Sequence, residues 1–206
     1  MTAEHGKPAH RCPWPGIADP EYARYHDEEW GVPLADDRML FEKLVLEGFQ
    51  SGLSWLTILR KRDNFRRAFA GFAPERIARF KDRDIARLMS DAGIVRNRLK
   101  IEATIANAGA FLKLQDKGGL ATLMWRIANQ DQPTGRAAPR TLSDVPATTE
   151  ASHRLSRALK AEGFRFVGPT TIYALMQSAG MVNDHLAGCH RRGHCQRLQD
   201  AFVPPS

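Results

Sequence analysis

Residues 36–55 read DDRMLFEKLVLEGFQSGLSW and give the strongest indication of the fold. An aspartate, Asp36 or Asp37, is placed to cap a helix. The residues expected to face the core recur in that helix at helical spacing, namely Leu40, Phe41, Leu44, Val45 and Gly48. Ser54 is placed to cap the next helix, which carries Trp55, Ile58 and Leu59 on one face. The stretch therefore predicts two consecutive helices joined by a short turn that contains glycine.

The same helical pattern extends along most of the chain in both directions. Helices are predicted after Asp19-Pro20, after Asp82, around 101–112, over 120–129, up to Gly163 and from Pro169 to Gly180. No stretch alternates between apolar and polar residues for more than a few positions, which argues against strands. We therefore expect an all-α protein without internal repeats.

The domain organisation follows from where this pattern fades. Residues 130–148 contain four prolines or glycines and little apolar periodicity, so they predict a long surface connection between two helical layers. Before and after the helical region the sequence is polar. We expect one domain over residues 10–190, with flexible tails at 1–9 and 197–206.

Composition and charge narrow the class of protein. Of the 206 residues, 43% are hydrophobic and 26% are charged, which excludes collagen-like, disordered and coiled-coil proteins. The chain has neither an apolar run of about 18 residues nor a secretory signal, so we expect a soluble, cytoplasmic protein with no membrane partner. The net charge of +7 favours a polyanionic partner, nucleic acid first, although many basic proteins bind none.

The cysteines and histidines are the first candidate site. Two of each, Cys12, His26, His185 and Cys189, would make a closed tetrahedral zinc set that ties the two ends of the chain together. Cys189-His190 and His194-Cys195 are a local alternative that needs no help from the N-terminus. Free buried thiols with scattered histidines would also fit, and the spacing alone does not decide among these three.

Glu47 and the aromatic residues near it are the second candidate site. Glu47 lies at the edge of the apolar stripe of its helix, and Gly48, Gln50, Gly52 and Leu53 follow it. Its carboxylate could be satisfied by local backbone donors, or it could point into a pocket whose mouth the glycines form. Five aromatic residues could stack around a planar cation there or could simply be half-buried core residues: Trp14, Tyr22, Tyr25, Trp30 and Trp55.

The segment 163–171, GFRFVGPTT, is the third candidate site. Its glycines lie at the end of one predicted helix and the start of the next, so the segment predicts a tight hairpin whose free N–H groups can receive a phosphate. Such a contact holds a nucleic acid in place without reading its sequence. An ordinary connection between helices explains the same residues equally well.

Taken together, these motifs resemble the type I 3-methyladenine DNA glycosylases. The resemblance covers about residues 11–190 and keeps the motifs in order: Arg11-Cys12, Tyr25-His26-Asp27, Glu29-Trp30-Gly31-Val32-Pro33, Leu46-Glu47-Gly48, Gly52-Leu53-Ser54-Trp55, Asp91-Ala92-Gly93-Ile94 and Val182-Asn183-Asp184-His185. It implies a helix-hairpin-helix glycosylase fold with one structural zinc per chain. Carried over by motif, the zinc ligands are Cys12, His26, His185 and Cys189.

The resemblance also assigns the other candidate residues. It implies Glu47 as the catalytic acid in a base pocket formed by Trp14, Tyr22, Tyr25 and Trp55. It puts Leu53 in a loop that pushes into the duplex, and it puts Gly168, Thr170 and Thr171 in a phosphate-binding hairpin. Three departures from the family pattern, at Phe49, Pro169 and Ala174, leave only the breadth of substrates open.

The implied activity is hydrolysis of the N-glycosidic bond of 3-methyladenine, flipped out of double-stranded alkylated DNA by a monomeric enzyme. An ionised Glu47 would accept hydrogen bonds from the base and complement its positive charge, and free 3-methyladenine would be the product. The usual aspartate after the second hairpin helix is missing, and Asn183 and Asp184 occupy its neighbourhood. No lysine follows the hairpin glycine, so strand cleavage is not expected. A non-catalytic, zinc-stapled DNA-binding protein and a glycosylase for other bases are the alternatives.

Overall fold

The computed structural model describes residues 10–130 and 137–205, and every regular element in these ranges is a helix. The α-helices are α1 Pro20–Glu28, α2 Asp37–Gln50, α3 Trp55–Ala68, α4 Pro74–Ile77, α5 Asp82–Ser90, α6 Arg98–Gln115, α7 Gly119–Gln130, α8 Glu150–Ala161, α9 Pro169–Ser178 and α10 Arg192–Ala201. Short 3₁₀ helices cover Ala70–Phe72 and Leu142–Asp144. The expected all-α class is confirmed.

Side-chain caps fix where the helices around the site begin. Asp19 accepts hydrogen bonds from two backbone N–H groups of the first turn of α1, whose first residue is a proline. Asp36, rather than Asp37, caps α2 by accepting from Met39 N at 2.8 Å. Ser54 caps α3 by accepting from Thr57 N. These are helix starts that the cap residues predicted.

Helix α2 is the centre of the fold. It packs against α3, α6, α7 and α9, and its residues from Val45 to Phe49 are buried without interruption. A helix that is buried on nearly all sides loses the one-sided apolar stripe of a surface helix. Glu47 is therefore carried into the interior by the helix that also supplies much of the core.

The C-terminal region differs from the expectation. Residues 197–201, expected to belong to a flexible tail, form the second half of α10. This helix is held because the Cys195 side chain is fully buried and Gln199 Nε2 donates to the backbone oxygen of Gly31 at 3.1 Å. Just beyond it, the ring of Phe202 lies 4.4 Å from that of Trp125. The proposed tail at 1–9 lies outside the described residues.

The connection expected at 130–148 is only partly described, because residues 131–136 lie outside the described ranges. Its second half contains the 3₁₀ helix Leu142–Asp144, which the sequence pattern did not predict. In the described part of the chain, no helix is both long and apolar enough to cross a bilayer.

Candidate base-binding cavity and metal cluster

A cavity of about 330 Å³ opens between α1, α2, α3, α9 and the loops beside them. Its size lies at the lower end of the range for small-molecule sites. It is lined by Trp14, Pro15, Tyr22, Tyr25, Trp30, Glu47, Gln50, Trp55, Leu142, Val145, Ala174, Gln177 and Asp184. The structure thus brings Glu47 together with all four aromatic residues that were expected to surround it.

Glu47 is an acid in an apolar setting, and only 4% of its surface is exposed. Burial raises its pKa to about 8, and the nearby positive charge of Lys43, one helical turn earlier, opposes that rise. With that pKa the carboxyl group is mostly protonated near pH 7. We expected an ionised Glu47 beside a cationic base, whose positive charge would lower this pKa again.

The aromatic rings form a continuous wall. Ring centroids are 5.2 Å apart for Trp14 and Tyr22, 6.4 Å for Tyr22 and Tyr25, and 5.4 Å for Tyr25 and Trp55. Burial first, and the charge of Glu47 second, raise the pKa of Tyr22 to about 12 and also raise the pKa of Tyr25. Both phenols are therefore neutral across the physiological range and can donate hydrogen bonds.

Basic groups lie next to this wall, in a neighbouring cavity. A second cavity of about 60 Å³ shares Tyr25 and Trp55 with the first and is otherwise lined largely by charged residues. Lys43 Nζ lies 5.5 Å from the centroid of the Tyr25 ring, and burial lowers the pKa of this lysine. Arg62 makes two hydrogen bonds to Glu29, at 2.5 and 2.9 Å. Lysine and arginine thus line the smaller cavity, whereas the charged residues among the described lining of the larger one are the acids Glu47 and Asp184.

The loop between α2 and α3 carries an exposed leucine. Leu53 is 40% exposed, and its backbone oxygen accepts from Gln50 Nε2 at 2.9 Å. Lys100 Nζ fixes the start of the loop by donating to the backbone oxygens of Phe49 and Ser51 at 2.9 and 2.8 Å. Because these hydrogen bonds hold the loop backbone, they also fix the position from which the exposed side chain of Leu53 extends.

The segment between α8 and α9, predicted as a hairpin, connects two helices that pack against each other. Ser156 Oγ donates to Val167 O at 2.6 Å, and Asn107 exchanges two hydrogen bonds with the backbone of Arg165. Gly168 is the N-cap of α9 and no side chain caps that helix start, so the N–H groups of Thr170 and Thr171 are placed to receive an anion.

The four expected metal ligands meet in one buried cluster. The ligand atoms of Cys12, His26, His185 and Cys189 all lie within 4.8 Å of one another. Cys189 Sγ lies 3.5 Å from His26 Nε2 and 3.4 Å from His185 Nδ1, and Cys12 Sγ lies 3.7 Å from His185 Nδ1. Ligands around a tetrahedral zinc ion would be separated by about 3.6 Å between sulfur and nitrogen, so the cluster fits such an ion.

The surroundings of the cluster fit a metal equally well. His26 Nδ1 bonds to Asp27 Oδ1 at 2.8 Å, and His185 Nε2 bonds to Trp30 O at 3.1 Å, which turns the opposite ring nitrogens inward. A hydrogen bond from the Cys12 thiol, and then those from the two histidines, lower the pKa of Cys189. Thiolate character at this position suits a metal ligand.

The local alternative ligand set is not assembled. His190 bonds to the backbone oxygen of His10 and approaches Asp27, while His194 is exposed. Cys195 Sγ is buried against Trp30 O at 3.8 Å instead. Within the described residues, the Cys12, His26, His185 and Cys189 set is the grouping that brings its ligand atoms together.

Several residues that line the cavity had no role assigned from the sequence, among them Gln177, Leu142 and Val145. Gln177 lies in α9, and Leu142 and Val145 come from the connection that was expected to be surface loop. Of Asn183 and Asp184, it is Asp184 that lines the cavity, whereas Asn183 Nδ2 donates to Arg192 O and Gln196 Oε1. The sequence offered no signal for Leu142 or Val145, because neither lies in a periodic segment.

The three departures from the family pattern lie in different places. Ala174 lines the cavity, so it bears directly on which bases fit there. Phe49 is buried, with its ring 4.7 Å from that of Phe65, and Pro169 is the first residue of α9. A change at Phe49 therefore belongs to the core rather than to a ligand surface.

An all-helical chain with an acid inside an aromatic, ligand-sized cavity has the architecture of a protein that binds a flat, positively charged group. A family model described as methyladenine glycosylase matches residues 14–192, and the chain belongs to that family.

The chain is similar to characterised relatives over most of its length. It is 47% identical over 180 residues to DNA-3-methyladenine glycosylase 1 of Escherichia coli (strain K12), covering 87% of this chain and 95% of that protein. A crystal structure of 3-methyladenine DNA glycosylase I matches with a TM-score of 0.82 at 45% identity, covering 88% of this chain and 98% of the other. A structure on 3-methyladenine recognition by the Staphylococcus aureus glycosylase I matches with a TM-score of 0.78 at 37% identity, covering 84% and 92%.

Proposed function

We propose that this protein removes 3-methyladenine from alkylated double-stranded DNA by hydrolysing its N-glycosidic bond. The observation that carries the proposal is the buried carboxyl group of Glu47 inside a cavity walled by Trp14, Tyr22, Tyr25 and Trp55. The similarity to enzymes named for 3-methyladenine supports the choice of substrate.

The cavity suits a base that is positively charged. Methylation at N3 makes the adenine of a nucleotide cationic, and loss of the base from the sugar neutralises it, so this base is a good leaving group. Aromatic faces attract a cation, and a cation beside Glu47 offsets the burial that raises the pKa of this acid to about 8. Glu47 then gives up its proton and accepts a hydrogen bond from the base. Neutral adenine gains neither benefit.

The surrounding surfaces suit a flipped-out nucleotide. The exposed side chain of Leu53 would fill the space that the base leaves in the duplex, and the N–H groups of Thr170 and Thr171 would hold a phosphate of the same strand. The net charge of +7 supports binding to the backbone. Double-stranded alkylated DNA is thus the proposed partner, with a monomeric protein acting in the cytoplasm, and free 3-methyladenine is the proposed product.

The reaction ends at the abasic site. A glycosylase that also cleaves the strand uses an amine to form a Schiff base with the sugar. Among the described residues that line the cavity there is no lysine, and Lys43 lines the smaller neighbouring cavity instead. Water is therefore the proposed nucleophile.

Zinc is the metal that we propose for the cysteine and histidine cluster. Four protein ligands with no open position make a structural site, and zinc supplies folding stability there rather than a step of the reaction. Cys12 lies two residues before Trp14, so the cluster anchors one end of the aromatic wall.

The test is to incubate the protein with methylated duplex DNA and identify any released base by chromatography and mass spectrometry. The proposal expects free 3-methyladenine and an intact abasic strand. Release of a different alkylated base alone would assign another substrate, and salt-dependent DNA binding without release would make the protein a non-catalytic binder.

A further inference from the structure

Gln177 and Asp184 form a hydrogen-bonded pair on the cavity wall, which we call the polar bracket. Neither residue has a part in the proposed stacking of the base or in the recognition of its charge. Gln177 lies in the last turn of α9, and Asp184 lies in the loop that follows. Gln177 Nε2 donates to Asp184 Oδ2 at 2.8 Å, and the hydroxyl of Tyr173 donates to the same oxygen at 2.6 Å. Tyr173 and Asp184 are 2% and 3% exposed, so the bracket has a rigid base.

The hydrogen bond to Asp184 determines the orientation of the Gln177 side-chain amide. A carboxylate can only accept hydrogen bonds, so the NH₂ end of the amide faces Asp184. The other end is the carbonyl oxygen Oε1, an acceptor on a residue that lines the cavity. The wall thus presents a neutral hydrogen-bond acceptor in a defined orientation, well suited to hold a water molecule or an N–H group.

The position of Gln177 along α9 favours the sugar over the base. Thr170, in the first turn of α9, is a proposed phosphate contact, and Gln177 lies seven residues further along the same helix. Two helical turns span about 10 Å, so Gln177 lies about that far along α9 from the proposed phosphate contact and also lines the cavity. The sugar of the flipped nucleotide lies between the phosphate and the base, which is that region.

We propose that Gln177, oriented by Asp184, holds the water molecule that attacks C1′ of the damaged nucleotide. The inference rests on the proposed function. As the bond from C1′ to the base breaks, its electron pair leaves with the base, which becomes neutral, and the sugar becomes cationic. The water oxygen forms the new bond to C1′, and one of its protons is lost to solvent.

With this assignment, Gln177 acts on the attacking water, whereas Glu47 acts on the base. A glutamine cannot take the proton, but a water held in line needs little further ordering to react, and positioned reactants gain large factors in rate. Gln177 is then a catalytic residue that contacts the nucleophile. Asp184 and Tyr173 are positioning residues that act through it.

The experiment measures two quantities for each variant: single-turnover excision from a methylated duplex with enzyme in excess, and equilibrium affinity for free 3-methyladenine. Gln177→Leu is expected to lower the excision rate by roughly tenfold to a hundredfold and to change the affinity for the free base less than about twofold. The matched control is Gln115→Leu on α6, since Gln115 Nε2 also donates to an aspartate at 2.8 Å but Gln115 does not line the cavity. Its excision rate should equal that of the wild type.

Asp184→Asn and the double variant test the positioning role. Because Asp184 precedes the metal ligand His185, metal content and the melting temperature are measured first. With both retained, the expected excision rate of Asp184→Asn is as low as that of Gln177→Leu, and the double variant loses no more than either single change.

Three outcomes overturn the inference while leaving the proposed function intact. They are excision by Gln177→Leu at the wild-type rate, equal losses in excision and free-base affinity, and additive losses in the double variant. The wild-type protein is the reference for the proposed function itself. If it releases no 3-methyladenine, the proposed function has failed and the variants are uninformative about Gln177.

Discussion

The indole of Trp14, which lines the cavity, packs edge-on against the imidazole of His26 in the cysteine and histidine cluster, with ring centroids 4.8 Å apart. The wall of the cavity and the metal cluster are therefore one packed unit. Trp14 also contacts Trp30, whose ring lies 4.6 Å from that of His185. We therefore expect a change at the cluster to affect the cavity through these direct ring contacts.

Loss of a metal ligand should therefore weaken both the fold and the base site. Cys12→Ala is expected to lose about one equivalent of zinc and to lower the melting temperature by several degrees. Affinity for free 3-methyladenine should fall as well, because Trp14 loses its support. Metal analysis, calorimetry and binding of the free base check this. Cys195→Ala, also buried but outside the cluster, should keep the zinc; retention of zinc by Cys12→Ala would contradict the assignment.

The pH dependence of excision should follow the titration of Glu47. Burial raises its pKa to about 8, so about one molecule in ten is ionised at pH 7 and about half at pH 8. If ionised Glu47 is required, the single-turnover rate at subsaturating enzyme rises from pH 6, reaches half of its maximum near pH 8 and levels off above about pH 9. Glu47→Gln should show no such rise. A wild-type rate that is flat across this range would show that the reaction does not need the ionised form.

The same acid should make the protein less stable as the pH increases. The folded pKa of Glu47 lies above that of the unfolded chain, so the folded state holds the extra proton and stability falls between about pH 5 and pH 8. Glu47→Gln removes the ionisable group and with it this loss of stability at higher pH. We expect the free energy of unfolding of the variant, minus that of the wild type, to increase by about 2–4 kcal/mol between pH 5 and pH 8. Urea denaturation at each pH measures this difference. A constant difference between the two proteins would place the carboxyl in a wetter environment.

Leu53 should matter for duplex DNA and not for the free base. Leu53→Ala removes the exposed side chain on the loop held by Lys100, so excision from a duplex should fall by about tenfold while affinity for free 3-methyladenine is unchanged. Val203→Ala, at an 85% exposed position near the C-terminus, is the control and should behave as the wild type. If Leu53→Ala excises normally from a duplex, the loop has another role.

Much of the fold could be predicted because local chemistry decides it. Asp19, Asp36 and Ser54 cap their own helices, and the apolar spacing in α2 reports the burial of its side chains. α10 was missed because its polar sequence is held by tertiary contacts, through Cys195 and Gln199, rather than by its own pattern.

The site was predictable only in part, for a similar reason. The resemblance marked Glu47 and the aromatic residues, and the structure places them in one cavity. Gln177 looks like any polar residue at the end of an apolar helix until the loop after α9 brings Asp184 beside it. The pKa of Glu47 was also out of reach, because it depends on packing from several helices that the sequence does not locate.

The most direct measurement of the central claim is the single-turnover rate of 3-methyladenine release by Glu47→Gln relative to the wild type at pH 8. An acid that recognises the cationic base predicts a fall of at least about a hundredfold, with the zinc content preserved and the melting temperature no lower than that of the wild type. Release at the wild-type rate by the folded, zinc-loaded variant would contradict the account.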